Sequence, residues 1–154
     1  MNTARIYLLD TSGLVKRYHP EAGREKVQAV FALSDKTILI SDLTIIETHS
    51  FVGRKIRTQT LNRADAASIL AQFHNDIVHT VLQVVRVSTA HKRLGVELLD
   101  RHAPKRALRT LDALQLAVAV DLHEQGRLTY LVTADSAFGK VAEMAGIAVI
   151  NPEA

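Results

Sequence analysis

The sequence predicts an α/β protein with helices on both faces of a mainly parallel, about five-stranded sheet, a three-layer α/β/α sandwich. Short apolar runs alternate with longer segments of helical periodicity along the whole chain, which is the signature of crossover-connected parallel strands. The runs are apolar throughout, as strands covered on both faces must be. At 154 residues, the length fits one domain with a substantial core, taken as residues 1–154.

The first strand is read at 6–9 (Ile-Tyr-Leu-Leu), followed by helices at 11–18 and 21–33. A second strand at 38–40 leads into helices at 43–59 and 63–80, a hairpin turning near Asn62. The β-branched stretch 82–87 gives the third strand, followed by helices at 89–101 and 111–125. The fourth strand is 130–133 and its helix 137–145, with Gly146 in the position of a helix-ending glycine. The fifth strand is 147–150. The three prolines, Pro20, Pro104 and Pro152, fall between elements or at the end.

Composition removes several classes. With no cysteine there is no disulfide framework, thiolate metal site or cysteine nucleophile. Charged residues make up 23% and the net charge is +3, so disorder is excluded. No apolar stretch approaches the roughly 18 residues of a membrane span, and the N-terminal apolar run is too short for a signal peptide. The expectation is a soluble cytoplasmic protein without membrane association. Nineteen basic against sixteen acidic side chains permit a nucleic-acid partner without arguing for one.

In parallel sheets, ligands bind beyond the C-terminal strand ends. Four carboxylates are positioned to reach that edge: Asp10 directly after strand one, Glu47 early in the helix after strand two, Asp112 in the first turn of its helix, and Asp135 just past strand four. None has a lysine or arginine beside it in sequence. Converging carboxylates repel one another, and a hard divalent ion, Mg²⁺ or Mn²⁺, removes that cost through oxygen ligands. Such an ion activates water and stabilises a phosphodiester transition state.

Each acid also has a purely local role to fill. Asp10 can cap the first helix, Asp112 can oppose the dipole of its own, Thr44 with Glu47 fits a capping box in competition with Asp42, and Asp135-Ser136 suits a turn. Asp112 fits its local role least well. Its helix is apolar nearly all round, as a buried helix is; Gln115 shares its face, and Asp121 points to the other side.

The segments LLDTSGLVKRYHPE, ISDLTIIET, LRTLDALQLAVA and YLVTADSAF, in that order, resemble the PIN domain, and especially the toxin ribonucleases of VapBC-type toxin–antitoxin pairs. The resemblance implies metal-dependent RNA cleavage leaving 5′-phosphate and 3′-hydroxyl ends, a homodimer, and inhibition by a small antitoxin protein. Carried over, Asp10, Glu47, Asp112 and Asp135 are the acidic constellation, and Thr11 and Ser12 match the polar positions after the first acid. Ser12 would hold a carboxylate or an ion-bound water.

Basic residues cluster at Lys16-Arg17, Arg54-Lys55-Arg57, Lys92-Arg93 and Lys105-Arg106-Arg109. Most read as solvated helix faces. Lys105, Arg106 and Arg109 are the candidate phosphate contacts, because they lead into the Asp112 helix. Aromatics are 5% and there is no tryptophan, which disfavours a base-stacking platform. The seven histidines include no zinc pattern. His74 and His79 diverge by about 140° on a helix, and His49 points away from Glu47, so they read as structural or solvent-facing.

The competing classes are a receiver-like signalling module and a silent RNA-binding domain of the same architecture. A receiver needs a phospho-accepting aspartate after strand three, where this chain has Gln83-Val84-Val85-Arg86-Val87-Ser88. An aspartyl phosphatase would want a second aspartate at position 12, where Ser12 stands. The silent domain is disfavoured by the presence of all four acids.

Overall fold

The computed structural model describes residues 3–154; the first two positions of the N-terminal run and of the expected domain lie outside it. The described elements run β1 (Arg5–Leu9), α1 (Thr11–Tyr18), α2 (Arg24–Ala32), β2 (Lys36–Ser41), α3 (Asp42–Arg57), α4 (Arg63–Val78), β3 (Gln83–Val85), α5 (Thr89–His102), α6 (Thr110–Glu124), β4 (Tyr130–Val132), α7 (Ser136–Met144) and β5 (Val149–Ile150). The strands form one sheet in the order β3-β2-β1-β4-β5. Every pair is parallel.

Alternate residues of the central strand feed two separate cores. Tyr7 and Leu9 pack with Leu14, Val27, Val52 and Phe73 from the α1–α4 layer. Leu8 packs with Leu98, Leu116 and Phe138 from the α5–α7 layer. Both faces of the sheet are therefore buried, which explains strand runs without polar alternation. Helix α6 is sheathed in turn by α5 and α7, so Leu116, Ala117, Val118 and Ala119 are all buried.

The chain runs outward from β1 through β2 to β3, then crosses back to β4 on the other side of β1. The direction of winding thus reverses between β1 and β4, and the crevice this opens lies beyond their C-terminal ends. Gly13 closes that junction. A Cβ there would stand 2.7 Å from the Val132 carbonyl oxygen, so only glycine lets α1 start against β4.

Several boundaries differ from the sequence reading, each for a non-local reason. Helix α2 starts at Arg24, because Gly23 before it is left-handed (φ 83°) and faces Pro152 of the C-terminal segment. Strand β3 is shorter than 82–87: the Leu82 amide donates to the Asp76 carbonyl, and the Val87 amide to Asp42 Oδ1. Neither Thr44 nor Asp42 caps α3. The helix begins at Asp42 behind Ser41, which leaves Thr44 and Glu47 inside it. Asp121 does face away from the acid edge, where it pairs with His91 at 2.8 Å.

Lys16 and Arg17 are not a solvated face. Lys16 is 2% exposed and is bonded to Glu21 at 3.1 Å and to Glu153. Arg17 Nε donates to Asp76 Oδ2 at 2.7 Å and covers the Phe31 ring.

The same substitution at two glycines should have opposite signs. Gly13→Ala must displace backbone and is expected to cost about 1–3 kcal/mol. Gly53→Ala, with open space around its Cβ in mid-α3, should gain about 0.5–1 kcal/mol through helix propensity. Thermal melts of the two variants check this; a stable Gly13→Ala would contradict the close approach of α1 to β4.

Candidate active site

The site starts at the end of β1. Asp10 is the N-cap of α1, and its Oδ1 accepts from the Gly13 amide at 2.9 Å and from Ser12 Oγ at 2.7 Å. Its Oδ2 accepts from Thr133 Oγ1 at 2.6 Å. Ser12 Oγ accepts in turn from the Ala134 amide at 2.9 Å, which pins the strand-to-helix turn of β4 to that of β1. Burial pushes the Asp10 carboxyl up to about 6; its three hydrogen bonds pull the other way, and the charge of Glu47 adds to the rise.

Asp135 repeats the local pattern at α7. Its Oδ1 accepts from the Phe138 amide at 3.0 Å, while its own amide donates to Thr133 Oγ1 at 3.1 Å. Asp112 sits in the first turn of α6, with Oδ2 accepting from the Arg109 amide at 3.0 Å. The Arg109 guanidinium lies 3.9 Å away and is 88% exposed, so this ion pair adds little.

Glu47 is held differently. Gln115, one turn beyond Asp112 on α6, is buried and donates from Nε2 both to Glu47 Oε1 (3.0 Å) and to Thr44 Oγ1 (2.9 Å). Its Oε1 accepts from Ser41 Oγ at 2.9 Å. Both amide hydrogens are used, so the carboxamide is locked and presents Glu47 to the cavity.

All four acids line one open cavity of about 530 Å³, together with Thr11, Ser12 and Gln115. Lys16, Arg54 and Arg109 also line it, so the acids are less isolated from cations than their sequence neighbours suggest. Lys105 and Arg106 are exposed in the α5–α6 connection and do not line it. Sequence reasoning missed Thr133 and the rim residue Arg54 as parts of the site. Gln115 carried a signal: it is an amide on an otherwise apolar helix face, one turn from Asp112.

The donor set suits a hard cation. Among the described residues, no three acidic or histidine side chains close around one point. Mg²⁺, however, is commonly held by one or two carboxylates and keeps several waters. Among the described residues, no hydrogen bond reaches Oε2 of Glu47, Oδ1 of Asp112 or Oδ2 of Asp135. Thr11 Oγ1 is buried beside the cavity without a partner, as an atom awaiting water or a ligand is.

Sheet order and cavity together define an α/β/α domain with an acidic, oxygen-lined site at its topological switch point. Residues 7–144 match the family model of the PIN domain, and the chain belongs to that family. The structure is similar to that of VapC20 from Mycobacterium tuberculosis, a sarcin-ricin loop cleaving toxin (20% identity, TM-score 0.68, covering 94% of this chain and 97% of that one). It is also similar to FitAcB from Neisseria gonorrhoeae (18% identity, TM-score 0.65, covering 95% and 97%). A third similar structure is VapBC2 from Rickettsia felis, bound to a DNA fragment from its promoter (20% identity, TM-score 0.64, covering 94% and 97%). A search of curated protein sequences finds no match.

The raised Asp10 carboxyl makes a stability prediction. Between its ordinary value of 3.8 and about 6, the folded protein holds this proton more tightly than the unfolded chain. Stability in chelator should therefore fall as pH rises through that window. Asp10→Asn should remove this component and stabilise the metal-free protein near neutral pH by up to about 3 kcal/mol. Paired melts of wild type and variant across the window isolate the effect; equal stability at both ends would contradict it.

Proposed function

We propose that the chain, one PIN-like domain over residues 1–154, is a divalent-metal-dependent endoribonuclease and the toxin of a toxin–antitoxin pair. The carrying observation is that Asp10, Glu47, Asp112 and Asp135, from four separate parts of the chain, line one cavity at the switch point of the sheet. Membership of the PIN family supports the reading. So does the likeness to VapC20, a sarcin-ricin loop cleaving toxin.

Asp10, Asp112 and Asp135 would hold Mg²⁺ or Mn²⁺ or orient its waters, and Glu47 would hold a second ion or position the attacking water. The bound ion supplies Lewis acidity and a water of lowered pKa. The protein's own part is orientation. Ser12, Thr133 and the Gly13 amide fix the Asp10 carboxylate, and Gln115 fixes Glu47. Arg54 and Arg109 at the rim would meet phosphates flanking the scissile one. Water oxygen bonds to phosphorus, the bond to the 3′ oxygen breaks, and that oxygen takes a proton, leaving 5′-phosphate and 3′-hydroxyl ends.

The partners proposed are an RNA substrate, a small antitoxin protein and a second copy of the chain as homodimer, in the cytoplasm. Ile46 (69% exposed) and Leu111 (47% exposed) line the acid cavity and give an antitoxin apolar anchorage there. Among the described residues no helix is long and apolar enough to cross a membrane.

Purified protein incubated with total bacterial RNA should cleave with Mg²⁺ or Mn²⁺ and stop in chelator. Asp10→Asn should lower the rate at least about 100-fold, and end-mapping should find 5′-phosphates. Wild-type cleavage by Asp10→Asn would overturn the assignment.

Gln115→Met keeps the volume and removes both donors. It should lower kcat about 10- to 100-fold, the usual cost of losing the partner that orients a site carboxylate, with KM for RNA little changed. An unchanged kcat would detach the orientation of Glu47 from the reaction.

A further inference from the structure

Away from the acid cavity, α3 and α4 each present an imidazole to the other. His49 Nε2 and His74 Nε2 are 2.9 Å apart, with ring centroids 5.2 Å apart and planes tilted by 51°. Both residues are exposed, and neither lines the acid cavity. On the helix, His49 stands about 200° around from Glu47. Beneath the pair, fully buried Phe73 lies against the His74 ring, with centroids 5.2 Å apart. The hairpin turn is fastened where Asn62 accepts from the Asp65 amide at 2.7 Å.

A nitrogen-to-nitrogen hydrogen bond needs one ring to donate and the other to offer a lone pair, so at least one imidazole is neutral. With metal–nitrogen bonds of about 2.0–2.1 Å, two imidazole nitrogens on one ion stand about 2.9 Å apart at a right angle and about 3.3 Å apart at the tetrahedral angle. The pair is already within a few tenths of an ångström of both separations.

We propose that His49 and His74 form a second metal site, selective for a borderline transition ion such as Zn²⁺, Ni²⁺ or Cu²⁺. Imidazole nitrogens select these ions and reject Mg²⁺, so the site is chemically distinct from the oxygen-lined cavity. Among the described residues no third acidic or histidine side chain closes on the pair. Water completes the coordination, and the ion stays exchangeable. It links α4 to the helix that carries Glu47 and Arg54, tying the hairpin together from the side opposite the acids.

The test is titration of the metal-free full chain with Zn²⁺ alone, followed by calorimetry and thermal melts. An Asp10→Asn background weakens any contribution from the cavity. One equivalent of Zn²⁺ should bind and raise Tm, in wild type and in Asp10→Asn, and excess Mg²⁺ should not compete. His49→Gln and His74→Gln should each weaken binding about 100-fold, because the chelate becomes a single ligand. Both side chains are exposed, so unchanged melts without Zn²⁺ confirm that the variants fold. Absence of Zn²⁺ binding in the Asp10→Asn background, or undiminished affinity there after either histidine substitution, overturns the proposal.

Discussion

A carboxylate withdrawn from water governs the C-terminal edge of this sheet. Asp10 is 9% exposed and its charge is disfavoured by burial; three hydrogen bonds offset only part of that cost. Those bonds draw in Ser12 and Gly13 from α1 and Thr133 from the end of β4. Through Ser12 and Thr133 they also fix the backbone of Ala134 and Asp135. The contact of Gly13 with Val132 that brings β1 and β4 turns together therefore also builds the site. What remains uncompensated is negative charge, and a divalent cation is the natural complement.

Capping and site formation are one arrangement rather than rival explanations. Asp10 and Asp135 cap α1 and α7, and Asp112 receives the first free amide of α6. Each cap uses one carboxylate oxygen on helix amides. On Asp112 and Asp135 the second oxygen is left toward the cavity, and on Asp10 it goes to Thr133. Helices α1 and α7, which begin at strand ends, and α6, which begins after the α5–α6 connection, thus deliver their first-turn or capping acids to the same crevice. Glu47 lies too far into α3 for this, and its orientation comes from Gln115 across the interface with α6.

Much of this was legible in the sequence because the signals were local. Apolar runs marked the strands, since a sheet covered on both faces cannot tolerate polar alternation. Gly146, left-handed at φ 85°, ended α7 where expected, and the helical hairpin turned near Asn62, which caps α4. Asp10 and Asp135 could be assigned to one edge because parallel topology puts every strand end there, and Glu47 and Asp112 by their places near helix starts. What escaped were pairings across distant segments. Lys16 reads as a surface lysine until Glu153 reaches it from the C-terminal segment. Thr44 reads as a capping-box residue until Gln115, which also accepts from Ser41, donates to it. His49 and His74 read as solvent-facing because their relation exists only after α3 and α4 fold together.

A paramagnetic ion reads directly the proposed anchoring of a cation centre by Asp10. Mn²⁺ should be added in small substoichiometric steps to isotope-labelled protein while backbone amide signals are followed. Broadening should be centred on residues 10–13, 47, 112 and 134–135, and Asp10→Asn should abolish it. Broadening centred elsewhere, or broadening at these amides that persists in Asp10→Asn, would contradict the account.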